Sequence, residues 1–423
     1  MQRCQQPDII MGSERAGAAM RVFAVSNRQD LAYAASEESY REKFRCLMEA
    51  IAPVFSKDKP NLVVFTEDAG LVTAFIGSRG IEARKGKDSF TAMLELAKTY
   101  SEPYNRYLAK YGAAFFARAL LLALTDTIWR PFYDTFSSLA RRYGVYVLAC
   151  TNVAEVRESA DPQDVSFFGD PEHPERNTVY LPVDGGVWNT AFLFSPDGNI
   201  VHRTKKVNLV DLEENLLQLT PGSITEVTSY TIPGTTITVC TGISKDAFMD
   251  SFLSRVSSQG CTILLQPDAN PGMWAEHYPY WQPEDWLGST LGSLQEPYSI
   301  LYNINPMMTG NFFDIVFDGQ SAITGRNDPR AARSGNYVGC DPIQDPITSA
   351  PISFTTGAFG FTTFAQGGFI LMGPWVMEDP GLSAPSLSRQ ERRSILHEKA
   401  LALAPGGSEE NRYLETILWT DLF

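Results

Sequence analysis

Residues 61–70 read NLVVFTEDAG, with Leu62, Val63, Val64 and Phe65 in an unbroken apolar run between Pro60 and Gly70. A strand covered on both faces has this composition, because neither face meets water. The run gives out at Glu67. Upstream, RVFAVS (21–26) has the same strand character, and Ser36 followed by Glu37 and Glu38 opens a helix. In that helix Tyr40, Phe44, Leu47, Met48 and Ile51 recur at helical spacing and form one apolar stripe that packs on a sheet. Downstream, GVYVLAC (144–150) is a further β-branched, apolar strand, preceded by a helix over about 131–143. The order is strand, helix, strand, and with the hairpins below it predicts an α/β fold with a mixed sheet or two stacked sheets.

Between these core elements, Leu71 to Phe132 is rich in helix formers and aromatics and reads as a helical insertion over 71–131. Its stretch AAFFARALLLAL (113–124) falls short of the ~20 residues that span a bilayer and carries Arg118, so it is expected to be a buried helix, with no stable membrane insertion. WNTAFLFSPDGNIVHRTKK (188–206) is a hairpin signal, two strand-like runs around Pro196-Asp197-Gly198-Asn199, and Lys206 lies where the second run ends. TTITVC (235–240) is a strand closed by Cys240, and CTILLQP (261–267) is another of buried type. The segment before Met20 reads as a disordered lead-in, 20–345 as the core domain, and 346–423 as an extension. Its last residues, NRYLETILWTDLF, have the look of a tail that packs on the domain or on a second subunit of a homodimer or higher homo-oligomer.

Composition narrows the function classes. The chain carries 49 Asp and Glu against 35 Lys and Arg, a net charge of −14, with no basic run to track phosphates, which argues against nucleic acid as a partner. The six cysteines lack CxxC spacing, which points to a reducing, cytoplasmic setting without a zinc–thiolate site. The four histidines lack HExxH spacing and no Gly-rich phosphate loop occurs, so neither a metal nor another cofactor is expected.

Glu67, Lys206 and Cys240 each end a predicted strand, where open α/β sheets bind ligands. Taken singly, each has a commoner reading: a solvated Glu, a surface Lys, a small core Cys. Their order and context carry more. PNLVVFTED, TKKVNL and TTITVCTGISKDAF with the following CTILLQPDAN resemble, in sequence order, the three motifs of the nitrilase (carbon–nitrogen hydrolase) superfamily. Weaker likeness extends over MRVFAV, WNTAFLFSPDG, ILYNINPMMTGN and FDGQSAITG. Where that family commonly has a His this chain has Asn208, and where an aromatic and then an acidic residue follow the nucleophile it has Thr241 and Gly242.

The resemblance implies a four-layer α-β-β-α sandwich and a triad of Glu67, Lys206 and Cys240. A carboxylate beside a thiol raises its thiolate fraction, and a fixed ammonium stabilises the oxyanion formed at a carbonyl. Glu67 is then the base, Lys206 with the amide of Thr241 binds the oxyanion, and a second glutamate, Glu214 with Glu213 as the close alternative, orients Lys206 or the water. Trp274 and Asn270 are the candidate substrate contacts, with core packing as the rival reading of the aromatic cluster around Trp274. The expected activity is hydrolysis of a carboxamide or N-acyl amide, a small molecule, through a thioester. N-acyl transfer by the same triad and a catalytically silent scaffold are the alternatives.

Overall fold

The computed structural model describes residues 4–275, 282–331, 337–338, 341–342, 364–374, 386–403 and 414–423. In chain order the main strands are β1 (Ile9–Ser13), β2 (Met20–Val25), β3 (Asn61–Phe65), β4 (Tyr146–Val153), β5 (Trp188–Phe194), β6 (Ile200–Lys205), β7 (Tyr230–Thr231), β8 (Thr238–Thr241), β9 (Ile263–Leu265), β10 (Tyr302–Asn305), β11 (Ala322–Gly325), β12 (Gly368–Met372) and β13 (Thr416–Leu422). They form two sheets, ordered β1-β13-β2-β3-β4-β5-β6 and β7-β8-β9-β10-β11-β12. The centre of the first, β2-β3-β4, is parallel, as is β8-β9-β10 in the second.

Period-two alternation explains the layering. Val22, Ala24, Leu62, Val64 and Leu148 on one side of the first sheet meet Val239, Ile263, Leu265 and Ile304 of the second in a core between the sheets. The intervening residues Phe23, Val63, Phe65 and Val147 face outward onto helices α1 (Glu37–Ile51) and α5 (Thr125–Tyr143). On the far side, Cys240 and Leu264 face α6 (Asp250–Ser257) and α7 (Gln282–Thr290). The order is therefore α-β-β-α. In α1 the predicted stripe is buried, and Ser36 accepts from the Ser39 amide as N-cap.

Two expectations change. The lead-in is ordered from Cys4, and Ile9–Ser13 adds a parallel edge strand to β13. The C-terminal tail takes the first of its two expected placements, on the domain: β13 lies between β1 and β2, pairing with β2 from Met20↔Leu422 to Val25↔Ile417. The boundary expected at 345 lies outside the described residues. The insertion is helical, with α2 (Ser89–Thr99), α3 (Ser101–Tyr111) and α4 (Phe116–Ala123). Its end merges with α5, which begins at Thr125, with Pro131 inside it. Proline is tolerated early in a helix, which is why Pro131 read as a start.

Cysteine usage also differs from expectation. Cys4 pairs with Cys46 and Cys240 with Cys261 as disulfides, and Cys150 is a buried free thiol. Among the described residues no helix is long and apolar enough to cross a membrane.

Candidate active site

Glu67 follows β3 and is buried. Just beyond it the chain turns through Asp68, whose φ is +55°, and Gly70 crosses against Thr151 of β4 so closely that a Cβ there would overlap its side chain. The turn is fixed by the Asn152 side-chain amide donating to Asp68 Oδ1 at 2.9 Å and by the Gly70 amide donating to the Cys150 carbonyl. Oε1 of Glu67 accepts from Asn189 Nδ2 and from Lys206 Nζ, each at 2.7 Å, and Oε2 accepts from the Ala269 amide at 3.0 Å.

Lys206 leaves the end of β6 with its backbone held by both neighbours: its amide donates to the Asn189 carbonyl and its carbonyl accepts from the Gly222 amide. Its ammonium lies between Glu67 and Glu213, 2.8 Å from Glu213 Oε2. Glu213 is buried in a π-helical turn, Leu212–Leu216, and is further held by Asn189 Nδ2 and the Val210 amide. Glu214 is exposed. Of the two candidates for a second glutamate, Glu213 and not Glu214 is the one that meets Lys206; adjacent positions on a turn diverge in direction, and the widened turn decides which points inward.

Cys240, the expected nucleophile, is not brought to these two residues. Cys240 sits inside β8, opposite Leu264 in register, with its sulfur on the α6 side in the disulfide with Cys261. It does not reach the cavity that Glu67 and Lys206 line. Thr241, opposite Leu265, is likewise a buried strand residue and does not line the cavity as an oxyanion donor. The strand runs on through Gly242, whose amide donates to the Leu265 carbonyl, and the chain breaks direction only at Ser244, with φ +46° and its amide on the Pro267 carbonyl. A non-glycine residue in this region is uncommon and marks a position held by its surroundings. Ser244 lines the cavity with Glu67 and Lys206.

The acidic residue that the resemblance leads one to expect two places after the nucleophile is absent after Cys240, whereas Asp246 stands two places after Ser244. Asp246 is fully buried and accepts from the amides of Val207 and Asn208 and from Asn208 Nδ2, so it ties the serine turn to the loop that carries Lys206.

Asp268, also missed, is buried beyond β9 and accepts from Gln266 Nε2 at 2.9 Å and Asn305 Nδ2 at 3.0 Å. Asn270 lines the cavity, its side-chain amide bonded to Gln282 Oε1. Trp274 does not: it is buried against Trp286 with ring centroids 5.4 Å apart, and its amide is bound by Asp318. For Trp274 the core reading is correct, since an indole of this size is placed first by the area it buries.

The cavity, of about 110 Å³, opens beside these polar groups and is otherwise walled by the insertion, through Phe75, Met93, Leu96, Leu120 and Leu124, and by Phe312 from the opposite side. The insertion therefore has a role, that of pocket wall.

The charges are crowded. Burial pushes the Glu67 carboxyl well above the usual range, against the pull of Lys206. Burial acts to lower the Lys206 ammonium, but Glu67 and Glu213 outweigh it and hold the lysine protonated. Asp68 is pushed up to about 7 by burial, with Glu213 adding to it, and Asp246 to about 6 by burial. Burial also raises Asp268, opposed by the nearby Ser244 and by the bonds from Gln266 and Asn305. One ammonium thus lies among several carboxyls, so their titrations are coupled.

No family model and no curated protein matches the sequence. Solved structures do show likeness. A carbon–nitrogen hydrolase from Helicobacter pylori G27 matches at 15% identity and a TM-score of 0.46, over 73% of this chain and 82% of that one. An amidase from Nesterenkonia sp. matches at 14% and 0.40, over 74% and 84%. A mutant of the Nesterenkonia AN1 amidase from the nitrilase superfamily matches at 14% and 0.40, over 90% and 98%.

Proposed function

We propose that this protein hydrolyses a non-peptide carbon–nitrogen bond, in a carboxamide or N-acyl amide, with Ser244 rather than a cysteine as the nucleophile. The observation that carries the reading is Ser244, in a left-handed turn, opening onto the same cavity as the Lys206 ammonium. Lys206 has three N–H donors and gives two to Glu67 and Glu213, which leaves one to receive a carbonyl oxygen.

In this reaction Ser244 Oγ attacks the carbonyl carbon and its proton passes to Glu67, the buried carboxyl that lines the same cavity. The oxyanion forms against Lys206. The C–N bond breaks as Glu67 gives that proton to the leaving nitrogen. Water then cleaves the oxygen ester, losing a proton to Glu67, which returns it to Ser244. The sum is amide plus water to acid plus amine.

The test is a panel of amides and N-acyl amines with amine and acid release measured, together with a fluorophosphonate that labels activated serines, read by intact mass. Turnover and a single adduct on Ser244, both lost in Ser244→Ala, are expected. Full turnover in Ser244→Ala would sink the assignment. Diversion of the acyl group to added amines would move the reading to acyl transfer. A silent binding scaffold is the second reading, favoured by the hydroxyl itself, a far poorer nucleophile than a thiolate. Amides that bind without turnover in both the wild type and Ser244→Cys would establish it.

A further inference from the structure

We infer that the ligand's acyl part is uncharged, non-polar and about six carbons in size, a ring or a short branched or linear chain. The inference rests on the hydrolytic reading only for the orientation of the ligand, with its carbonyl at Lys206. The charged groups of the cavity, Glu67, Asp68, Lys206 and Glu213, and the polar Ser244 and Asn270 belong to the strand-end loops, whereas the wall contributed by α2, α4 and the cap of α4 is Met93, Leu96, Leu120 and Leu124, with Ser89 at the start of α2 as a polar member. Phe75 and Phe312 close it, their rings packed at 5.4 Å.

Size follows from the volume. The roughly 110 Å³ of free space is somewhat less than the ~150 Å³ of an apolar engineered cavity that admits benzene. Charge follows from the lining. Among the described residues the cavity's one cation is Lys206, already placed between Glu67 and Glu213, and Asp68 stands beside them. A second carboxylate on the acyl chain would lose its hydration with no cation to receive it. A cationic chain would meet no anion at the insertion wall, only hydrocarbon and Ser89.

Calorimetric titration of the full-length protein with primary carboxamides from acetamide to decanamide, with adipamic acid as the charged comparator, tests this. Affinity is expected to rise about fourfold per methylene up to about hexanamide and then to stop rising, with adipamic acid at least ~10-fold weaker than hexanamide. Leu124→Phe, which fills the cavity with another apolar side chain, should move the best chain length down by one or two carbons. Affinity independent of chain length, adipamic acid binding as well as hexanamide, or a length profile unmoved by Leu124→Phe would each overturn the inference. The readout is binding, so it separates from the chemistry. Hexanamide that binds with this profile but yields neither ammonia nor a Ser244 adduct would remove the hydrolytic reading and leave the pocket assigned. Turnover with a flat length profile would do the reverse.

Discussion

Lys206 Nζ lies 2.8 Å from Glu213 Oε2, and both side chains are nearly inaccessible to water. Removing one partner of such a buried pair leaves the other charge uncompensated and typically costs about 3–5 kcal/mol. Glu213→Ala should therefore destabilise the protein by about that amount, partly relieved by Glu67, which still faces the ammonium. Glu214→Ala, at an exposed position, should stay within about 0.5 kcal/mol of the parent. Urea denaturation of the two variants decides the matter; equal losses would mean that the two glutamates share the role.

Cys240 and Ser244 are separated by the same logic. Cys240→Ala opens the disulfide to Cys261, and loss of a native disulfide typically costs about 2–5 kcal/mol. Amide turnover per folded molecule should be unchanged, because the sulfur faces the helix layer and not the cavity. Alkylation of the wild type after unfolding without reductant should leave Cys4, Cys46, Cys240 and Cys261 unlabelled. Loss of turnover in Cys240→Ala at a temperature where the variant is fully folded would return the catalytic role to the thiol.

How far the sequence could be read depends on the kind of signal at each residue. Glu67 and Lys206 were legible because each ends a strand whose apolar run is unmistakable, and the layering followed from the alternation of Val22, Phe23 and Ala24. That Ser244 rather than Cys240 opens onto the cavity was not legible, because the apolar run stops at Cys240 while the chain stays extended to Gly242 and turns at Ser244. Nothing in a hydropathy pattern marks a left-handed turn at a serine. Glu213 could not be told from Glu214 without the turn geometry. The strand Thr416–Leu422 was illegible as a member of the first sheet because its partner, β2, lies some 400 residues away in sequence.

Asp68 makes the site sensitive to pH near neutrality. Its folded value, about 7, is raised by burial, whereas the unfolded value is about 3.9. The folded state therefore holds the proton more tightly, and the stability this brings is present below the unfolded value and is lost as pH rises through about 7. The protein should lose thermal stability between pH 5 and pH 8 in part through this group, and Asp68→Asn, which keeps the shape without the charge, should flatten that slope. Melting temperatures of both proteins across that range test it; parallel curves would show that Asp68 ionises freely in the folded state.

At the opposite end of the first sheet, Asp421 of β13 accepts from Arg21 Nε of β2 at 2.7 Å and from Lys59 Nζ at 3.0 Å, and its side chain is almost fully buried. Burial alone acts to raise this carboxyl, yet the bonds from Arg21, the Arg15 amide and Lys59 hold it below the usual range. Its contribution is therefore present above the unfolded value of about 3.9 and is lost as pH falls through the lower folded value, the reverse of Asp68. Asp421→Ala leaves the buried Arg21 with Glu14 alone as an acidic partner, and Glu14 is largely exposed, so a loss of about 3–5 kcal/mol is expected. Because β13 lies between β1 and β2, that loss should appear as release of the whole strand: amide hydrogens of Thr416–Leu422 and of Ile9–Ser13 should exchange faster together, while those of β8 and β9 keep their protection. The surface pair Lys85–Glu82, with both side chains about two-thirds exposed, is the control, and Glu82→Ala should change stability by less than about 1 kcal/mol. A uniform rise in exchange across both sheets would instead mean that the C-terminal strand opens only with the whole protein.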